Sequence, residues 1–350
     1  MTNIKENICS YENLIKAFKK SKQGIMWKDS VINFNRNKLI SCSKLRKTLL
    51  DNTYKIDDYV AFTIYEPKKR FIVSTRLKDR VFQRSMCDNY LYKEITKHFI
   101  YDNGACQIGK GTDFCRKRLS VHLQKFYRKH KLNGYALKCD IKDFFGSTSH
   151  DIAKSILRRK IADNWVYDKV AEIIDSFEGD KGIGLGSQVS QLIQLAMLDD
   201  LDHIIKEKCK IKHYVRYMDD FIIIHENKEY LKSVKEIIKE HLKSIYLCLN
   251  ERKTHIIKLN NNINFLGFSY RLTESGKVIK KICGDNLRRH RKKIKGLFRK
   301  VDKGKLSIAY VEMCNSCWKA HASKGNTHNL MLKLDKEFKE RKLSYGRNKN

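Results

Sequence analysis

Apolar residues recur along the chain first at helical spacing, then at strand spacing, then at helical spacing again. Residues 1–25 are helix-like, with Ile4, Leu14, Ile15 and Phe18 as core positions, and 26–50 carry a second basic amphipathic pattern ending at Leu49-Leu50. From Tyr54 the period shortens to two, predicting strands over Tyr59–Ile64 and Arg70–Val73. Residues 77–99 return to helix, with Val81, Met86, Leu91 and Ile95 inside and Arg80, Arg84 and Lys93 outside. Another helix is predicted at about 113–130, and a strand follows that ends in Asp140. Helices at about 150–160 and 164–177 come next, the first with Ser149 as N-cap and Asp151 at its positive end. A glycine-punctuated stretch, 182–191, opens an apolar helix through about Lys208.

The two short runs Tyr214-Val215-Arg216 and Phe221-Ile222-Ile223-Ile224 flank Tyr217-Met218-Asp219-Asp220 and predict a hairpin with two aspartates at its tip. Beyond it lie an amphipathic helix at 228–247, strand-like pieces at 254–258 and 263–270, and a very basic helical tail from Asp285. No linker, repeat or low-complexity segment interrupts this order, which predicts one compact, multi-lobed unit.

Composition narrows the class. Apolar residues make up 41% of the 350, enough for a real core. Lys and Arg number 73 against 39 Asp and Glu, a formal net charge of +34 spread over the whole length. Such a surface predicts a polyphosphate partner, nucleic acid first. On charge alone, a generally adhesive basic protein remains the plain alternative. Eleven cysteines without regular spacing, and no apolar leader, predict reduced thiols in a cytoplasm. No apolar run reaches the length of a membrane span, so no membrane partner is expected.

Charge also sharpens the hairpin. Two buried aspartates need a counter-charge, either Lys, Arg or a divalent metal. Asp140, Asp219 and Asp220 each fall at a predicted strand end, and three carboxylates on adjacent strands suit a pair of magnesium ions about 3.5–4 Å apart. The cationic turn Glu66-Pro67-Lys68-Lys69-Arg70 between two strands would clamp a phosphate chain. Phe145 stands where a bulky ring would press on a nucleotide sugar. The glycines of 102–112, which fail as a Walker loop by spacing and ending, read as backbone that approaches a nucleic-acid strand, and those of 182–191, feeding a helix N-terminus, suit close contact with phosphates or bases. Cys314-Asn315-Ser316-Cys317 with His321 allows a zinc reading, against which stands a helix packing through Val311, Cys317, Trp318 and His321.

Taken together, the chain resembles a reverse transcriptase over nearly its whole length. Tyr217-Met218-Asp219-Asp220 matches that superfamily's catalytic box, and Asp140-Ile141-Lys142-Asp143-Phe144-Phe145 its first catalytic motif, with Phe145 at the steric gate. Lys253-Thr254 resembles the motif whose lysine assists pyrophosphate departure, and Phe265-Leu266-Gly267-Phe268 the primer grip. The resemblance implies an α+β right-hand polymerase: an antiparallel palm sheet backed by helices, fingers and a helical thumb. Its implied boundaries are an N-terminal helical extension at 1–50, fingers at 51–134, palm at 135–283 with finger-associated helices at about 150–180, and thumb at 284–350. It implies Asp140, Asp219, Asp220 and Lys253 as catalytic, with Asp140, the Ile141 carbonyl, Asp219 and Asp220 holding two Mg2+ that Mn2+ can replace. Lys68, Arg70, Asp143, Phe144, Phe145 and Leu185 would bind the nucleotide. Gly186, Ser190, Gln191, Tyr217, Met218, Phe265, Leu266 and Gly267 would meet template or primer. The implied partners are template RNA, primer or cDNA, and dNTPs.

Within the superfamily the chain looks most like the enzymes of bacterial diversity-generating retroelements. Residues 54–84 follow their fingers, as do Phe99-Ile100-Tyr101-Asp102 and Gly109-Lys110-Gly111-Thr112. Ser190-Gln191 stands where retron and group II intron enzymes carry Ser-Pro, and Leu185 replaces the usual glutamine, a change that accompanies error-prone copying of template adenines. That likeness implies a small, basic, ring-forming accessory protein and a bacterial or phage-encoded cytoplasmic enzyme. Gly184, Gly186-Ser187-Gln188 and Gly146-Ser147-Thr148 depart from the pattern and keep a retron-like or phage-defence enzyme as the alternative. A non-catalytic RNA-binding scaffold is the alternative of another class. The chain ending at Asn350 leaves no length for an RNase H or endonuclease region.

Overall fold

The structure, a computed structural model, describes residues 3–65 and 69–347. Lys68, expected at the nucleotide, lies outside the described residues.

The chain opens with α1 (Ile4–Ile8), α2 (Tyr11–Ser21), α3 (Asp29–Arg36) and α4 (Lys38–Leu50). The single helix expected over 1–25 is broken at Cys9-Ser10, because the Ser10 hydroxyl accepts from Asn13 N and starts α2 afresh. Leu14, Ala17 and Phe18 repeat at helical spacing and are buried. A ribbon of β1 (Val60–Ile64) and β2 (Arg70–Ser74) follows, paired antiparallel from Val60↔Ser74 to Ile64↔Arg70. Next come α5 (Leu77–Met86), a π-helical turn over Cys87–Leu91, and α6 (Tyr92–Thr96), running on as one rod. Val81, Met86, Leu91 and Ile95 are all fully buried, as their spacing predicts.

The middle of the chain holds α7 (Thr112–His130), β3 (Tyr135–Asp140), α8 (His150–Lys160), α9 (Asn164–Asp175), α10 (Gln188–Met197) and α11 (Asp199–His203). The helix expected through Lys208 is therefore interrupted after Met197 and ends in a π-helical turn, Ile204–Lys208. Ser149 does occupy the N-cap position of α8, but its side chain makes no capping bond, and its backbone instead bridges Lys181. Then follow β4 (His213–Tyr217), β5 (Asp220–His225), α12 (Lys228–Ser244) and β6 (His255–Lys258). The order in the four-stranded sheet is β4-β5-β3-β6, which places β3 and its terminal Asp140 beside β5 and its initial Asp220.

A second sheet, ordered β7 (Ile263–Phe265), β8 (Phe268–Leu272) and β9 (Val278–Ile282), corrects the single strand expected at 263–270. The alternation changes phase at Leu266, apolar at 263 and 265 and then at 266, 268 and 270, a shift that a single strand does not accommodate. Leu266 and Gly267 both take positive φ, 47° and 84°, the geometry that turns a two-residue hairpin. Three helices close the chain: α13 (Gly284–Asp302), α14 (Ile308–Ala322) and α15 (His328–Arg347). Ile294, Leu297, Phe298, Val301 and Val311 form an apolar cluster on α13 and α14, with Cys314 and Phe338 packed against it.

The chain clusters into two compact units, one of residues 1–115, 139–221 and 232–254, the other of 116–138, 222–231 and 255–350. No linker marks the division: the chain passes between the units inside α7, β3, β5 and α12, and a fifth time at 254/255, directly before β6.

Candidate active site

Within the first unit, a cleft of about 830 Å³ gathers side chains from five separate stretches of sequence. The β1–β2 ribbon contributes Arg70 and Phe71, and the end of β3 contributes Asp140 with the following Ile141, Asp143, Phe144 and Phe145. The glycine-punctuated loop contributes Leu185, and the hairpin tip Asp219. Asn250 and Lys253, after α12, complete it.

Backbone hydrogen bonds hold the carboxylates in register. Ile141 N donates to Asp219 O at 3.2 Å, Asn250 N to Asp140 O at 2.7 Å, and Lys142 N to Cys248 O at 2.9 Å. Met218 takes φ 54° between β4 and β5, so the tip reverses in two residues and puts Asp219 at the cleft. Lys253 Nζ lies 2.7 and 2.9 Å from the two Asp140 carboxylate oxygens. Burial raises the Asp219 pKa above the ordinary carboxylate value, and the Asp140 charge adds to the rise, while Lys253 and Arg70 oppose it.

The cleft is also lined by aromatic side chains. Phe144 is buried and meets the half-buried Phe145 edge-on, ring centroids 6.0 Å apart. Tyr59 stacks on Phe177 at 4.9 Å, and its hydroxyl shares a 2.6 Å bond with Ser176 Oγ. The glycine loop is pinned from behind: Ile183 N donates to Phe145 O, and Gly182 N to Thr148 O. Its Gly184 serves packing. A Cβ on Gly184 would come within 2.5 Å of the Phe177 ring and 2.9 Å of Val73. The loop at 102–112 behaves alike, since a Cβ on Gly104 would sit 2.3 Å from Cys115 Sγ. Both glycine stretches, read from sequence as nucleic-acid approaches, are thus accounted for in part by close contact with protein.

Below the hairpin lies an ion pair that sequence reasoning missed. Arg216 is fully buried, with Nε 2.7 Å from Asp202 Oδ1 and Nη2 2.5 Å from Oδ2. Its Nη1 donates to the Met218 carbonyl at 3.1 Å, inside the tight turn itself. Tyr214 donates its hydroxyl to the same Asp202 at 2.6 Å, and burial, then the Asp202 charge, pushes that phenol's pKa up. Burial pulls the Arg216 pKa down, but the Asp202 carboxylate more than offsets it and keeps the guanidinium charged. The available signal was an arginine inside an otherwise apolar strand, one residue before the motif.

Other expected site residues fall elsewhere. Gly186 borders a second, smaller cavity. Ser190 has no exposed surface, so its side chain does not face a strand, whereas Gln191 is exposed. Tyr217 and Met218 are half-buried, and Asp220 begins β5 half-buried behind Asp219 in the chain. In the second unit, Phe265 is buried and Leu266-Gly267 form the β7–β8 turn, whose Leu266 carbonyl accepts from Arg116 Nε at 3.1 Å and Nη2 at 2.8 Å.

Among the described residues, no group of three or more His, Cys, Asp or Glu is gathered closely enough to hold a metal. Cys314 packs on the α13–α14 cluster and the His321 ring lies 5.2 Å from that of Phe268, so the zinc reading has no ligand set here. At the cleft the donor chemistry nevertheless fits a hard divalent cation. Asp140 and Asp219 offer carboxylate oxygens whose mutual repulsion raises one pKa, and the Lys253 ammonium on Asp140 stands in for such a cation.

Comparison with known proteins bears on these residues. The family profile described as reverse transcriptase (RNA-dependent DNA polymerase) matches residues 66–270. Among solved structures, the chain is similar to apo telomerase from Candida tropicalis truncated from its C-terminal domain, with TM-score 0.51 and 17% identity over 64% of this chain and 55% of that one. It is also similar to telomerase from Candida albicans in complex with a TWJ fragment of telomeric RNA, with TM-score 0.52 and 12% identity over 71% and 51%. The chain thus spans about half the length of these structures. No curated protein sequence matches it. The mixed helix and antiparallel-sheet architecture is that of the same polymerase fold.

Proposed function

Because the chain belongs to the reverse transcriptase (RNA-dependent DNA polymerase) family, we propose that it copies RNA into DNA in the cleft around Asp140 and Asp219. The observation that carries this reading is the convergence of Arg70, Asp140, Phe145, Leu185, Asp219 and Lys253 on one cleft. Asp140, Asp219, Asp220 and the Ile141 carbonyl would hold two Mg2+, or Mn2+ in their place. When bound, the metal supplies Lewis acidity that favours the ionised primer 3′-hydroxyl and neutralises pyrophosphate.

The chain's own residues do the rest. The primer 3′-hydroxyl gives its proton to water, its oxygen forms a bond to the α-phosphorus as the α–β bridging bond breaks, and the β- and γ-phosphates leave as pyrophosphate. Arg70, with Lys68 beside it in sequence, binds those phosphates. Phe145, backed by Phe144, closes the wall against a 2′-hydroxyl, and Asp143 borders the same subsite. Lys253 rests on Asp140 and is within reach of the departing pyrophosphate as a proton donor. Tyr217, Met218, Gly186 and Gln191 lie toward template and primer, with Phe265, Leu266 and Gly267 as the primer grip, and the buried Ser190 acts by packing. Residues 51–134 serve as fingers, 135–283 as palm and 284–350 as thumb, after an extension at 1–50. Leu185 offers the new base pair shape but no hydrogen bond, which supports error-prone copying of template adenines in a diversity-generating retroelement, with a small basic accessory protein as partner.

Primer extension on an RNA template with Mg2+ tests this, comparing the wild type with Asp219→Asn/Asp220→Asn and sequencing the product. Metal-dependent cDNA that the double variant does not make is expected, with errors concentrated opposite adenine. Accurate cDNA would move the reading to a retron-like or defence enzyme. No cDNA from the wild type on a cognate RNA would leave an RNA-binding scaffold.

A further inference from the structure

A second cavity of the first unit, about 300 Å³, lies between the end of α2, the outer face of α5 and the start of α10. Its walls include Lys20, Ser21, Arg80, Gln83, Arg84 and Gln188. Four polar atoms of these walls are shielded from water and have no hydrogen-bond partner: Ser21 Oγ, Arg80 Nε, Gln83 Nε2 and Gln188 Oε1. Gln83 is 2% exposed. Buried polar groups left unpaired at this density are rare unless a ligand or water supplies the partners.

Charge says which ligand. Arg80 reaches only neutral acceptors, Ser74 Oγ at 3.0 Å and Thr75 O at 3.3 Å, and burial lowers its pKa. Lys20 and Arg84 share a single carboxylate, Asp88, at 2.7 and 3.1 Å. Ser187, whose hydroxyl caps α10 by accepting from Val189 N and Ser190 N, sets the positive end of a ten-residue helix at the same place. Cationic and N–H donors therefore outnumber acids, and one acceptor, Gln188 Oε1, needs a hydroxyl. The cavity is also continuous in sequence with the catalytic cleft, because Leu185 lines the cleft and Gly186 the cavity.

We propose that this cavity binds a sugar-phosphate unit of the nucleic-acid strand that passes Leu185. Arg80 and Gln83 hold the phosphate, and Gln188 accepts from a sugar hydroxyl. The proposal rests on the polymerase reading for the identity of the strand, but not for the phosphate chemistry.

The test is equilibrium binding of a fluorescent single-stranded RNA across a salt series, for wild type, Arg80→Gln and Lys20→Gln. Each protein is also melted with and without inorganic phosphate. Loss of one phosphate contact is expected to make the log–log salt slope shallower by about 0.7 and to weaken binding several-fold. If RNA binding is unchanged but inorganic phosphate raises the wild-type melting temperature and not that of Arg80→Gln, the site takes free phosphate instead. If neither changes, the cavity holds only water and the proposal fails. Lys20→Gln, at a half-exposed helix end, carries the test if Arg80→Gln does not fold. Binding needs no turnover. A protein that makes cDNA but shows no change would sink this site alone, and one that binds phosphate but makes no cDNA would sink only the polymerase reading.

Discussion

Asp219 is a carboxylate that the fold holds at a cost. Burial, with the Asp140 charge behind it, raises its pKa above the ordinary value of 3.8, so ionisation costs more in the folded state than in the unfolded one. The sign follows from linkage: the stabilising contribution is whole below the unfolded pKa and is lost as pH rises through the higher folded value. Asp219→Asn, which stays neutral, should therefore melt above the wild type at pH 7, by on the order of 1–3 °C. The gap should close as the pH falls toward 4. A gap that stays constant across a pH series of thermal melts would show that charge burial is not the cause. Adding Mg2+ should raise the wild-type melting temperature and leave the Asn variant nearly unmoved. At position 185 the expectation concerns accuracy. Leu185→Gln restores a hydrogen-bonding side chain, and a single such contact discriminates by about 1–3 kcal/mol, roughly tenfold or more. Sequenced cDNA should then show about tenfold fewer errors opposite adenine; an unchanged error spectrum would remove Leu185 from the account.

The decisive element is β4 with its turn. A strand of five residues carries a guanidinium at zero exposure, and its three donor directions tie Asp202 to the Met218 carbonyl. Arg216 also receives support along its backbone, its N donating to Asp102 O at 3.0 Å and its O accepting from Gly104 N at 3.1 Å. Asp202→Asn leaves the arginine uncompensated in the interior, and urea unfolding should report a loss of about 3–5 kcal/mol. Arg216→Lys keeps the charge but cannot hold Asp202 bidentately and reach the Met218 carbonyl together. Steady-state primer extension should show kcat reduced about 10- to 100-fold with KM for dNTP little changed, because the turn carrying Asp219 is misplaced while the nucleotide walls are not. An equal loss in kcat and rise in KM would point to general destabilisation.

For the molecule as a whole, charge governs partnership. A formal charge of +34 over 350 residues predicts RNA binding driven by counterion release. With about 6–10 phosphates engaged, affinity measured by filter binding should fall by roughly 10³-fold or more between 50 and 200 mM salt. A flat salt response would sink nucleic acid as the main partner. No described helix is long and apolar enough to cross a membrane. The division into two units, crossed by the chain inside α7, β3, β5 and α12 and again before β6, means that neither unit is a contiguous sequence segment.

Most elements were legible because they are local: the Met86–Leu91–Ile95 face, the β1–β2 ribbon and the strands around Asp219-Asp220 all announce themselves by spacing. So does the composition that selects a phosphate-bearing partner. The sequence by itself determined which chemistry the chain carries, since residue types and their near neighbours decide period, charge and the presence of three carboxylates. Only the tertiary structure decided which of those groups meet. Lys253 reaches Asp140 across 113 positions, and Arg216 finds Asp202 across 14. Leu266-Gly267 makes a turn inside the expected strand, Ser190 faces inward, and Gly184 makes room for Phe177 and Val73. Periodicity reports which face of an element is apolar, but not which neighbour covers it. Long-range pairing depends on the summed packing of the whole chain, which no local window contains.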